Sequence, residues 1–232
     1  MADDLSEKVR RVEAKLAGEY GRPEWGGPGD PLDELMLTIL SQNTSDVNRD
    51  KAWRRLKERF PTWEAVSDAS EDELADAIQP AGLSRQKAPR ILSVLRDVKQ
   101  RFGRHSLDEI EEWPSESVKE YLMGYPGVGP KTAACVLMFA MGRPVMPVDT
   151  HVHRIDSRLG LIRAGAPFEE AHATLEDITP ADLVYPLHIE MIRHGRALCR
   201  PTNPKCDRCP VREECLFYET VVEPARNEAK DA

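Results

Sequence analysis

Apolar residues return every three or four positions along most of this chain, and no stretch shows a convincing two-residue alternation. That periodicity constrains the fold more than any other feature, because it fits helices that each turn one face to a core and does not fit half-buried strands. The clearest case follows Asp30-Pro31, where Leu32, Leu35, Met36, Ile39 and Leu40 fall at i, i+3, i+4, i+7 and i+8. Asp30 offers an N-cap and Pro31 suits the first helical position. Similar patterns predict helices over Leu5 to Tyr20, around Trp53, Leu56 and Phe60, from Thr62, and after the capping-box pattern Ser70-x-x-Glu73. A longer one is marked by Ala88, Ile91, Leu92, Leu95, Val98 and Phe102 and ends at Gly103; another is capped by Ser115, and two more span Phe168 to Ile178 and Pro180 to Leu198. The class is all-α. At 232 residues there is room for one large or two small domains. No uncharged apolar run approaches the roughly 20 residues of a membrane helix, and MADDLSEKVRR is not a signal peptide, so the expected compartment is cytoplasmic.

The segment from Tyr121 to Arg154 reads as helix, tight turn, helix, then a carboxylate. Two glycines in Pro126-Gly127-Val128-Gly129 permit positive φ and leave backbone N–H groups uncovered, and Pro130 suits the start of the next helix. Uncovered N–H groups beside a helix N-terminus make an anion site, which on a nucleic-acid binder holds a backbone phosphate. The plainer reading is a turn and nothing more. Lys131 lies in the first turn, where the dipole disfavours an ammonium; if it is also buried its pKa falls, and such a lysine is a nucleophile rather than a solvated surface residue. Asp149, in Val148-Asp149-Thr150-His151, either serves chemistry or caps the helix that follows.

A formal net charge of −8 argues, taken alone, against a nucleic-acid partner. Its distribution argues the other way. Pro61 to Pro80 holds acids and no base, whereas Leu83 to Arg104 carries Arg85, Lys87, Arg90, Arg96, Lys99, Arg101 and Arg104 against Asp97 alone. Local basic faces on an acidic body hold phosphate; solvated helix faces are the bland alternative.

Four cysteines close the chain, Cys199-x6-Cys206-x2-Cys209-x5-Cys215. Disulfides are out of place in a cytosolic protein, so the thiols point to a metal. The Cys-x2-Cys pair alone suggests zinc.

The Pro-Gly-Val-Gly turn, Lys131, the Val-Asp-Thr-His segment and the cysteine spacing, in that order, resemble the endonuclease III family of DNA glycosylases. The resemblance covers roughly residues 30 to 218. It implies a helix-hairpin-helix glycosylase fold: a six-helix barrel domain over 30–143, and an iron-sulfur cluster domain formed by 1–29 with 144–232. It implies a [4Fe-4S] cluster on Cys199, Cys206, Cys209 and Cys215, with Lys131 and Asp149 as catalytic residues. Asn43, with Gln42 as rival, matches the side chain that fills the gap left by an extruded base. Leu83 matches a wedge that enters the base stack, Arg85 and Lys87 the basic residues beside it that hold phosphate, and Gly127 and Gly129 the hairpin. His151 and Arg196 match DNA-facing positions, and His188 and His194 structural or DNA-facing ones. The implied function is a monomeric, bifunctional glycosylase and apurinic/apyrimidinic lyase that removes oxidised pyrimidines from double-stranded DNA. The alternatives are a mismatch or adenine glycosylase without lyase activity, which generally lacks the lysine, and a non-catalytic helix-hairpin-helix iron-sulfur protein, which has no need of Asp149.

Overall fold

The computed structural model describes residues Ala2 to Lys230, and every regular element among them is helical. The chain divides into two compact units, one formed by Gly27–Arg143 and the other by Met1–Gly26 with Pro144–Ala232. Chain order places α1 (Ala2–Tyr20) in the split unit, then α2 (Pro31–Ser41), α3 (Asp46–Arg59), α4 (Trp63–Asp68), α5 (Glu71–Ala77), α6 (Ser84–Phe102), α7 (Ser115–Met123) and α8 (Pro130–Cys135) in the inserted one.

Local chemistry fixes the starts of these helices. Asp30 Oδ1 accepts from the Leu32 and Asp33 amides at 2.7 and 3.0 Å. Ser45 and Thr62 cap α3 and α4, and Ser70 and Glu73 exchange the reciprocal bonds of a capping box on α5. α2 is central to the inserted unit, packed by α3, α6 and α8, and Leu32, Leu35, Met36 and Leu40 are fully buried. Each such side chain contributes about 1.5–3 kcal/mol relative to exposure.

Three local expectations change. Ser115 does not cap α7: Pro114 holds the cap position, and Ser115, already helical, accepts from Arg143 Nη1 at 3.2 Å. α6 begins at Ser84, a turn ahead of the Ala88 that opens its apolar stripe, and runs through Pro89. The apolar run after α8 widens into a π segment, Val136–Ala140, in which the Met141 amide bonds the Val136 carbonyl at 3.3 Å.

In the split unit α1 packs against α10 (Phe168–Ile178) and α11 (Val184–Ala197), and α11 against α9 (Thr150–Leu159). Val9, Val12 and Leu16 form the buried stripe of α1. Gly195 sets the spacing of α9 and α11, since a β-carbon there would lie 2.5 Å from His151 Nδ1. A last helix, α12 (Glu223–Lys230), follows a second π segment at Tyr218–Val222.

This unit also buries two carboxyls. Glu190 on α11 is 0% exposed with neither oxygen hydrogen-bonded, while Glu13 on α1 pairs with Arg22 at 2.9 Å. Burial, then the Glu13 charge, pushes Glu190 up to about 8 from its ordinary 4.5. The native state therefore holds a proton that the unfolded chain releases between those values, so this group lowers stability as pH rises from 4.5 to about 8. Glu190→Gln removes that titration. Its melting temperature is expected to exceed the parent's at pH 8 and to approach it near pH 4.5; melting curves that stay parallel across the window would refute the account.

Candidate functional site

Between α7 and α8 the Val128 amide closes the turn on the Tyr125 carbonyl at 3.1 Å. Gly127 is left-handed, φ 81°, which a residue with a β-carbon adopts only under strain. Gly129 is extended and carries no such requirement. Among the described residues the Gly127 and Gly129 N–H groups have no acceptor. Gln42 Nε2 donates to the Gly127 carbonyl at 2.9 Å, so the end of α2 holds the turn.

Lys131 is the second residue of α8 and makes no hydrogen bond or ion pair among the described residues. It is half-exposed rather than buried. Nearby on α2, Glu34 accepts from Thr38 Oγ1 at 2.9 Å. Burial pushes Glu34 up to about 7, against the Thr38 bond and the Lys131 and Arg49 charges, which favour its ionised form. Thr132 to Cys135 of α8 are core.

Two of the three non-glycine residues with positive φ are site candidates. Asn43 (φ 53°) follows α2 and points into the open, whereas its neighbour Gln42 is committed to the hairpin. Leu83 (φ 48°, ψ 31°) precedes α6 with 47% of its surface exposed. A leucine in this conformation costs about 1–2 kcal/mol, and a side chain left half open recovers only part of that by packing. Arg85 is exposed, 3.7 Å from Asp72.

Lys87 requires a correction. It is 1% exposed, and its Nζ donates to the carbonyls of Leu40, Gln42 and Ala81 at 2.8, 2.7 and 2.9 Å. All three ammonium protons are used inside the protein, so Lys87 cannot hold a phosphate. Burial, then Arg90, lowers it to about 8.

Asp149 caps α9: its Oδ1 accepts from the His151 and Val152 amides, both at 2.8 Å. Oδ2 takes no part, so the cap leaves half the carboxylate unused. Arg154 Nη2 lies 3.1 Å from His151 Nδ1, and since a guanidinium only donates, Nδ1 accepts and the ring is neutral. Burial likewise moves His151 down. Arg196 is exposed on α11.

No disulfide joins the cysteines. Burial pushes Cys209 up to about 12, and the thiolates of Cys199, Cys215 and Cys206 add to the shift, so all four sulfurs lie within electrostatic reach of one another. His194, buried on α11, puts Nε2 3.6 Å from Cys209 Sγ while Nδ1 meets the Tyr20 hydroxyl at 3.0 Å. It is held inside the protein, as is His188. Sequence reasoning missed Arg154 and Arg158. Arg154 Nε donates to the Cys199 carbonyl at 3.0 Å, and Arg158 Nη1 to Cys199 Sγ at 3.2 Å and the Arg200 carbonyl at 2.8 Å. Their i, i+4 spacing on α9 was the available signal. Among the described residues no three Cys, His, Asp or Glu groups converge as on one ion.

A family model described as HhH-GPD superfamily base excision DNA repair protein matches residues 36–181. Endonuclease III of Thermotoga maritima is 39% identical over 189 residues, 82% of this chain and 84% of that protein. A putative DNA glycosylase of Arabidopsis thaliana is 34% identical over 200 residues, 82% of this chain and 67% of that one. Among solved structures, a trapped endonuclease III–DNA covalent intermediate superposes with a TM-score of 0.79 at 28% identity, covering 94% of this chain and 98% of that one. Together these define the class, a DNA glycosylase of base-excision repair built on the HhH-GPD fold. Within it, the chain belongs to the endonuclease III family.

The strain at Leu83 separates function from packing. Leu83→Gly is expected to hold or raise stability, by up to about 1 kcal/mol as the left-handed strain is relieved, while lowering activity on damaged duplex. A loss of stability, read by chemical denaturation, with activity intact would mean that the leucine is there to pack.

Proposed function

We propose that this chain is a bifunctional glycosylase and apurinic/apyrimidinic lyase that acts on oxidised pyrimidines in double-stranded DNA. The observation that carries the reading is Lys131: an amine with no hydrogen-bond or ion-pair partner among the described residues, one turn from backbone N–H groups that also lack acceptors there. A target base inside a duplex is out of reach and must be flipped out. Lys131 Nζ then adds to C1′ as the C1′–N bond breaks, and the base leaves with the bonding pair and is protonated. Opening of the sugar ring, with a proton to O4′, gives the Schiff base. Loss of a C2′ proton expels the 3′ phosphate by β-elimination. Asp149 stabilises cationic character on the sugar through its unused oxygen or assists deprotonation of the amine, and its cap bonds are compatible with either. Asn43 fills the gap left by the flipped nucleotide, Leu83 wedges the stack, and Arg85, Gly127, Gly129, His151 and Arg196 face the DNA. The wedge costs a few kcal/mol of stacking, recovered through contacts to bent DNA.

The donor set at Cys199, Cys206, Cys209 and Cys215 fits a [4Fe-4S] cluster. The four thiols are uncrosslinked, and burial, then the neighbouring thiolates, pushes Cys209 and Cys215 up, so a cationic core would favour their thiolate forms. Cys199, Cys206, Cys209 and Cys215 would hold the cluster, and the chemistry it would supply there is positive charge beside their sulfurs. When bound, the cluster supplies that charge and fixes the loop.

Borohydride is expected to trap a covalent complex between the protein and DNA bearing thymine glycol. Lys131→Gln should trap none yet bind, and trapping by that variant would move the nucleophile elsewhere. Asp149→Asn should slow base release by roughly 10² to 10⁴ in single-turnover assays at little cost in melting temperature; near-normal turnover would end its catalytic assignment. A mismatch or adenine glycosylase without lyase activity would release a base and leave the strand intact.

Protein purified without oxygen is expected to be yellow-brown, with about four irons per chain by metal analysis. Stoichiometric zinc and no visible absorbance would overturn the cluster.

A further inference from the structure

Arg90 lies on α6, two turns beyond Leu83, and is half-buried. Its guanidinium rests flat on the hairpin. A β-carbon built on Gly127 would sit 2.7 Å from Nη1, 3.0 Å from Cζ and 3.2 Å from Nε. Gly127 is thus required twice, by its positive φ and by the plane that covers it. A guanidinium carries five N–H donors and cannot be deprotonated, so a half-buried one normally finds a carboxylate or carbonyls. Arg90 has neither among the described residues. One turn back along α6 stands another cation, Lys87, whose protons are spent on backbone carbonyls. Two turns forward, Asp97 is engaged by the hydroxyls of Tyr125 at 2.6 Å and Tyr121 at 3.3 Å. The charge of Arg90 is left uncompensated beside the Gly127 and Gly129 N–H groups, which also lack acceptors. Gln42 holds the same turn through the Gly127 carbonyl, which leaves its N–H groups unobstructed.

We propose that Arg90 is a phosphate ligand of the hairpin, its guanidinium and the Gly127 and Gly129 amides closing on one DNA backbone phosphate. The inference rests on the reading of the chain as a DNA glycosylase that grips the backbone through this turn, and it adds a residue from a different helix to that grip. A flat fork of donors suits phosphate oxygens better than a lysine's point charge does. It also gives a reason for a cation held against glycine where nothing in the protein neutralises it.

The test is the salt dependence of binding to a duplex with a non-cleavable abasic analogue, and to the same duplex undamaged. Each neutralised phosphate contributes about 0.9 to the slope of log K against log salt. Arg90→Gln is expected to bind both duplexes roughly tenfold more weakly at low salt, with a slope lower by about one. Its melting temperature should match the parent's. Arg90→Met, which keeps an apolar stem over Gly127, should behave the same way. If either variant is less stable, titrating active protein in each sample corrects for the folded fraction, and the slope remains readable. Parent-like affinity and slope in both variants would overturn the role of Arg90 and leave the glycosylase reading standing. A parent protein whose binding ignores salt would bring down that reading itself.

Discussion

The buried ammonium of Lys87 is the contact on which the candidate DNA-facing surface of the inserted unit depends. Its three protons gather the end of α2, the Gln42 carbonyl and the turn ahead of α6 onto one atom. Leu40 lies in the last turn of α2, where carbonyls lack intrahelical partners, so the bond also does what a C-cap would do. Removing the ammonium while keeping the volume would leave three carbonyls short of a donor, each a penalty of roughly 1–3 kcal/mol where no water reaches it. Asn43 stands one residue beyond one of these anchors and Leu83 two residues beyond another. The two left-handed residues are therefore held in place by a side chain that does not itself leave the interior.

This arrangement explains how strain is tolerated at positions that do not pack. A leucine in the left-handed region with an open side chain is unstable by itself, and it persists because the backbone on both sides is tied down. The hairpin is built on the same plan. Gln42 holds its carbonyl, Gly127 takes the sharp turn, and Pro130 starts α8, so that N–H groups and the amine of Lys131 are left without internal partners. In each case the elements are rigid and the uncommitted groups sit at their junctions.

What could be read from the sequence was what neighbours in sequence decide. Asp30, Thr62 and the Ser70–Glu73 box cap the helices expected of them because capping acts within four residues. Ser115 misled because a serine one position into a helix looks like a cap until the preceding proline is placed. Lys87 was read by charge and by its place near Leu83. Its burial follows from carbonyls over forty residues away and six residues away, and no local pattern encodes them. The same holds for Arg154 and Arg158, whose targets lie over forty residues downstream at Cys199. The apolar run after Cys135 announced a buried helix but not its π winding, which residue type does not specify.

The split unit has a consequence for how the chain is made. The apolar stripe of α1 is covered by α10 and α11, Lys8 reaches the Leu159 carbonyl at 2.6 Å, and Arg11 and Lys15 pair with Glu214 and Glu213. None of these partners exists when α1 leaves the ribosome, and at about 5–20 residues per second the wait is on the order of ten seconds or more. The inserted unit has its own core and all of its helices by Arg143, so it can close while the first helix is still searching. A segment made before the inserted unit is thus buried after it. During that interval Val9, Val12 and Leu16 form an exposed apolar ridge that a chaperone, or another nascent copy of the same chain, can meet first.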